Sequence, residues 1–335
     1  MLRRYKPGCT LVHAGNRKGY LRGTILWSAL LLVGSAAAQT TSSAVTSPVL
    51  GLVFDAGAQA VRTVWGIPAA SRLDGLIGGG TPLSVVAISS QQGYALALDG
   101  TGTATLVSPS GQQPLSGVRA GAQMVALSPR GTAAAVYFSD TGKASILTGM
   151  PGAPQSLRDV TLDGPPLLLA VSDDGATLAA VVSLAANQAT VFSYSSAGAG
   201  QAVFSDRQFP SLDFVPGTAN LLMATQTAVY LYQGSQGLQI VADQRDGIAN
   251  VVGAAASDDG TRVFIGTQSG QVAIRDLTAF TLTQLTCLCV PSGVSRLRGR
   301  AVFRLNELGS GPLWVVNGDA VQPRILFVAM PAGGN

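Results

Sequence analysis

The chain is short of the residues that carry out most protein chemistry. It has one histidine in 335 residues, and that one, His13, lies near the N-terminus. Charged residues make up 11% of the chain and aromatic rings 6%. Beyond residue 38 there is one lysine, Lys143, and one glutamate, Glu307. Without histidine, Ser-His-Asp and Cys-His catalysis are excluded from the body of the chain, along with the commonest ligand of zinc, iron and copper. Lys143 has no serine placed for a Ser-x-x-Lys pair. Sixteen aspartates are left for acid–base work or calcium binding. A non-enzyme is therefore expected, with no cofactor.

What is present points elsewhere. Hydrophobic residues are 47% of the chain, ample for a full core, and the low charge argues against disorder. The 41 glycines, with so few charges, suggest a turn-rich β protein. The six basic residues Arg3, Arg4, Lys6, Arg17, Lys18 and Arg22 precede an apolar run over residues 24–34 and then Ala36-Ala37-Ala38. A positive stretch, a short apolar core and small residues read as a secretory signal peptide over residues 1–38. The run falls short of the roughly 20 apolar residues of a membrane span, so no stable span is expected after cleavage. The arginine pair lies too far upstream for twin-arginine export, and no cysteine follows the run to carry a lipid. The basic stretch is unusually long, which suggests a true start downstream of Met1.

Cleavage would remove six of 21 basic groups and none of the 17 acids, moving the net charge from +4 to −2. A basic body would have suggested nucleic acid or an anionic membrane; an acidic one suggests neither. The destination is the periplasm, the cell surface or the medium. Residues 39–48 are rich in Ser and Thr and read as a flexible leader. Residues 49–335 read as one domain.

The body repeats itself. Ser172-Asp173-Asp174-Gly175 and Ser257-Asp258-Asp259-Gly260 are one turn, and Ser128-Pro129-Arg130-Gly131 is a variant. Weaker members place glycines at 93, 217 and 309, so the steps average about 43 residues and predict about seven units. Each turn joins two apolar runs of strand length, such as 167–171 with 177–182, and a third run follows. A four-stranded sheet cannot bury both faces alone, whereas radial repetition packs each sheet on its neighbours. The expected fold is all-β: a β-propeller with seven blades favoured over six. Residues 53–68 echo residues 137–151, as though the chain began with the later strands of a blade lacking its first. The C-terminal stretch 324–330 is expected to pair there and close the ring. Residues 75–82 read as a linker.

Residues 257–277 resemble a WD40-type blade, with Arg275-Asp276 where that family has Trp-Asp. The broader resemblance is to bacterial secreted WD40-like or YVTN-type propellers, and it implies a binding scaffold. The family's Gly-His pair is missing, since the body has no histidine.

Two groups stand out as candidate sites. Arg296, Arg298, Arg300 and Arg304 share one parity, and on an extended chain at least the first three would share a face. They could grip a carboxylate, sulfate or phosphate on a sugar or peptide, or else form a solvated edge bridged to aspartates of a neighbouring blade. Cys287 and Cys289 would meet an oxidising compartment, as a bridge or as buried thiols; redox or metal roles are weaker readings. The paired aspartates at 173–174 and 258–259 fit turns better than calcium loops. Trp65 and Trp314 fit packing between blades.

The expected function is thus an exported, monomeric, non-enzymatic scaffold for a protein, peptide or glycan. The alternatives are a propeller hydrolase, lactonase-like or polysaccharide-cleaving, that uses aspartates and calcium, and a structural part of the cell envelope.

Overall fold

The computed structural model describes residues 48–329 other than 78, 79, 197 and 310, so the stretch 1–38 read as a signal peptide lies outside the described residues, as does all of the stretch read as a leader but Pro48. Seven antiparallel sheets follow one another along the chain, at residues 49–77, 83–114, 124–161, 166–206, 211–243, 251–286 and 295–328. Blade 1 has three strands and blades 2 to 7 have four each. Two single-turn 3-10 helices, Gly234–Gln236 and Gln244–Asp246, are the only helical segments among the described residues. None of these is long and apolar enough to cross a membrane.

The packing follows from the strand period. Alternate side chains point to opposite faces of a sheet, and here each face meets a different neighbour. In the strand Ala133–Phe138, Ala133, Ala135 and Tyr137 pack towards blade 4, against Leu169, Val171 and Leu178. Ala134, Val136 and Phe138 pack towards blade 2, against Tyr94, Leu96 and Leu98. All six are buried. That is why the second strands read as continuous apolar runs rather than as an alternation.

Among the described residues there are seven such apolar clusters, one between each pair of successive blades and one between blades 7 and 1. An open row of seven sheets would have six interfaces. The seventh, in which Leu50, Val53, Val64 and Leu73 meet Leu297, Leu313, Val315 and Val328, closes the ring.

The turns carry the repeat. In blade 4 the Gly175 amide donates to the Ser172 carbonyl, with Gly175 at φ +70°, a conformation glycine adopts without strain. The Ser172 hydroxyl accepts from the Thr177 amide, and Ser128 and Ser257 do the same work in blades 3 and 6. Two phases differ from the sequence reading. In blade 2 the left-handed position falls on Gln92 (φ +58°), not on Gly93. In blade 7 the first turn is at residues 297–301, so Gly309 belongs to the following loop.

Blade 1 is the exception. Leu50 accepts from the Arg298 amide and the Leu52 amide donates to Gln92, so strand Val49–Asp55 starts beside the turns that end its neighbours' inner strands. In complete blades the second strand starts at that end. Blade 1 therefore consists of later strands without a first, as its sequence suggests. The C-terminal strand Arg324–Val328 does not fill that gap. It is the outer strand of blade 7, paired with Leu313–Asn317, and it takes part in closing the ring against blade 1 through the parallel bridge of Arg72 with Ala329 and through Val328 in the closing cluster. An outer strand lies three strand spacings, roughly 14 Å, from the inner position, too far to complete both sheets. Residues 75–77, read as linker, instead finish the strand Ala70–Ile77.

Candidate functional site

The inner strands of blades 2 to 7 surround a central cavity of about 430 Å³. Aliphatic residues such as Val86, Val125, Leu168 and Leu212 make up most of its lining, while about half of the surface it exposes is polar. Three charged side chains interrupt it: Asp213, Arg296 and Arg304.

Arg296 ends the inner strand of blade 7, and its side chain is only 9% exposed. Nη1 donates to Asp258 Oδ1 in the turn of blade 6 at 2.7 Å. Nε and Nη2 are buried with no hydrogen-bond partner. These two nitrogens form one edge of the guanidinium, the edge that matches two oxygens of a carboxylate. A buried donor without a partner costs about 1–3 kcal/mol, more when charged, so the arrangement is costly for stability.

Asp213 lies on the inner strand of blade 5. Burial raises its carboxyl pKa from 3.8 to about 6; the charge of Arg296 and the Phe214 amide, 2.8 Å from Oδ1, oppose that rise without cancelling it. Burial likewise raises Asp258, against the pull of Arg296. Arg304 pairs with Ser295 across blade 7 and is held by Glu307 and by the Asn306 carbonyl.

The four arginines of the sequence reading do not form one face. The inner strand of blade 7 ends at Arg296, and Arg298 and Arg300 fall in the turn that follows, where strand parity no longer applies. Arg298 is exposed, with Nη2 3.4 Å from the Gln91 carbonyl, and Arg300 is exposed, 3.9 Å from Asp319. Arg296 and Arg304 alone reach the cavity.

Cys287 and Cys289 are joined by a disulfide with Cα atoms 5.0 Å apart. Strand Leu282–Thr286 has ended and the chain bends there, which shortens the extended i, i+2 separation. Trp314 packs beside Phe327, with ring centroids 5.8 Å apart.

The turn aspartates are committed to their own surroundings. Asp174 accepts from the Ser172 hydroxyl and the Ala176 amide. Asp259 is disfavoured as an anion by burial, yet hydrogen bonds from Ser257 and Thr261 prevail and take its pKa down to about 2. Among the described residues no three His, Cys, Asp or Glu side chains cluster to hold a metal ion. Asp173 has a role that the sequence reading missed. Its Oδ1 accepts from the Arg130 amide of blade 3 and its Oδ2 from the Gly217 amide of blade 5, at 2.6 and 2.7 Å. Arg275, at the place of the WD40 tryptophan, binds Asp246 at 2.9 Å.

Solved structures share this fold at low identity. A Lactobacillus plantarum protein superposes with a TM-score of 0.55 at 13% identity, over 84% of this chain and 96% of its own. A functionally unknown protein from Desulfotomaculum acetoxidans gives 0.55 at 12%, over 84% and 100%. Kuenenia stuttgartiensis hydrazine synthase gives 0.53 at 12%, over 89% and 100%. No family model matches the chain, and neither does any curated protein. At such identities the likeness concerns the fold alone.

Proposed function

We propose that this protein is an exported, non-catalytic β-propeller scaffold that binds its ligand, a protein, peptide or glycan group, in the central cavity. The observation that carries this reading is the buried edge of Arg296: two donors with no partner, in the wall of a cavity of about 430 Å³. That volume is within the ordinary range of ligand sites. The non-catalytic reading rests on the sequence, whose body has no histidine, one lysine and one glutamate. Export is supported by residues 1–38 and agrees with the disulfide.

Two measurements test the reading. Thermal melts of the purified protein with panels of acidic and neutral glycans and short peptides should reveal a ligand that raises the Tm with the logarithm of one plus its concentration over Kd. Arg296→Met should abolish that rise. Turnover of a lactone or glycan, strengthened by calcium and lost in Asp213→Asn, would overturn the scaffold in favour of a hydrolase. Mass spectrometry of the exported protein should find Gln39 as the first residue. A protein that keeps residues 1–38 and stays with the membrane would overturn export.

A further inference from the structure

The chemistry of the cavity wall narrows the ligand. Apart from Asp213, Arg296 and Arg304, the wall combines small aliphatic side chains with serine hydroxyls at 90, 128, 211 and 295, and about half of the surface it exposes is polar. It has no aromatic ring on which a sugar could stack and no side-chain amide to read sugar hydroxyls. The positive charge is fully balanced by Asp258, paired with Arg296, and Glu307, paired with Arg304, and Asp213 when ionised tips the site to net negative. One forked edge is left over. A doubly charged tetrahedral anion would face Asp213 and Asp258 with too few donors, whereas a planar monoanion matches the two nitrogens of Arg296.

Resting on the cavity being the binding site, we propose that it takes an aliphatic carboxylate: a carboxylate on Nε and Nη2 of Arg296, with its apolar body against the valines and leucines of the inner strands. Such a group is offered by a branched short-chain acid and by the free C-terminus of an apolar peptide. Both nitrogens lie beneath the cavity surface, so binding in this way requires the guanidinium to turn towards the ligand. Asp213 makes the event proton-coupled. As a carboxylate it repels the ligand; protonated, it donates a hydrogen bond to it. The charged groups about Asp213 are Arg296 of blade 7, Asp173 of the blade 4 turn and, behind Arg296, Asp258 of the blade 6 turn. With its pKa near 6, Asp213 is mostly protonated at pH 5.5 and almost wholly ionised at pH 7.5. If the protonated form is the competent one, Kd tightens by about 20-fold between pH 7.5 and pH 5.5.

The test is calorimetric titration of the purified protein with 4-methylpentanoate, its amide, the tripeptide Ala-Ala-Leu with free or amidated C-terminus, and methyl galacturonate. The free acids are expected to bind, each about 20-fold tighter at pH 5.5, and their amides not. Which free acid binds better tells a small metabolite from a chain terminus. Arg296→Lys keeps the charge but loses the fork and is expected to weaken binding at least 10-fold. Asp213→Asn is expected to flatten the pH dependence and raise affinity at pH 7.5, a gain that a misfolded variant would not show. Binding of methyl galacturonate or of the amides, lost in Arg296→Lys while the aliphatic acids stay inert, would overturn the carboxylate proposal and leave the cavity as the site. Binding that ignores Arg296 altogether would overturn both, and a pH-independent Kd would overturn the role of Asp213.

Discussion

Two junctions between blades use the same turn and put it to opposite ends. At the Asp173 turn, both carboxylate oxygens are met by backbone amides, one from each neighbouring blade, so blades 3, 4 and 5 are tied by a single side chain. At the Arg296 turn, one nitrogen is met by Asp258 of the preceding blade and two are left with nothing. The first junction is saturated and the second is not. Because buried donors left unpaired are costly, the difference marks where stability has been given up, and that place faces the one central cavity. Gln92 belongs to the saturated kind. Its amide donates to the Ser89 and Arg296 carbonyls and accepts from the Leu52 amide, stitching blades 7, 1 and 2 together where blade 1 has no inner strand.

The largest effects should therefore come from breaking the saturated junctions. Gln92→Ala strands the Leu52 amide and the Arg296 carbonyl in a buried seam, and Asp173→Ala strands two amides. The first is expected to cost about 2–3 kcal/mol in urea unfolding and the second, whose two amides are exposed to water, about 1 kcal/mol, with ligand affinity affected far less than by Arg296→Lys. Asp173→Asn keeps one oxygen acceptor and should lose about half as much. A loss below roughly 0.5 kcal/mol in both alanine variants would mean that water replaces these bonds and that the contrast with Arg296 is only apparent.

A smaller effect separates the cavity from the turns by pH. Asp213 is raised from 3.8 to about 6, so the folded protein holds a proton that the unfolded chain has released across that window. Stability from this group consequently grows as pH falls from 6 towards 4 and is missing above 6. Asp259 has the opposite sign: its carboxylate is lowered to about 2, so its contribution is full above pH 4 and fades as pH falls through 2. Asp213→Asn should remove the acid-side gain. At pH 7.5 it should stabilise the protein by about 1–2 kcal/mol, less than the full shift because water reaches the cavity. Unfolding curves at pH 4.5, 6 and 7.5 check this; an unchanged pH slope in the variant would show that Asp213 titrates normally.

How much of this was legible in the sequence depends on distance along the chain. The Ser-Asp-Asp-Gly turn is local, since Ser172, Asp174 and Gly175 bond within five residues, so its spacing and the blade number could be read directly. The bonds that join blades could not. Asp173 meets Arg130 and Gly217, 43 and 44 residues away, and Gln92 meets Arg296 across 204. Asp173 has the same neighbours in sequence as Asp258, and only the ring decides that one takes two amides and the other an arginine. The arginine parity failed for a related reason. Alternation holds only while the strand lasts, and this one ends at Arg296. The signal that could have pointed to Arg296 is the short step from Gly260 to Gly299, which shifts the last turn onto residues 297–301 and makes Arg296 the end of an inner strand.

The smallest expected effect sharpens the comparison most. Arg296→Met removes a guanidinium that is nine-tenths buried and only partly paired, and puts an apolar chain of similar length beside Phe303, over which Arg296 now lies at 6.0 Å. Asp258, left behind, is half exposed and stays hydrated. The Arg296 carbonyl that Gln92 grips belongs to the backbone and is kept. A buried ion pair replaced by apolar atoms is often neutral or stabilising, so the change in urea unfolding should lie within about 1 kcal/mol of zero, while the ligand-induced rise in Tm vanishes. A residue kept for structure would show the reverse, a stability loss like that of Gln92→Ala with binding spared. The ratio of the two losses, rather than either alone, distinguishes a side chain that holds the ring together from one that the ring holds ready.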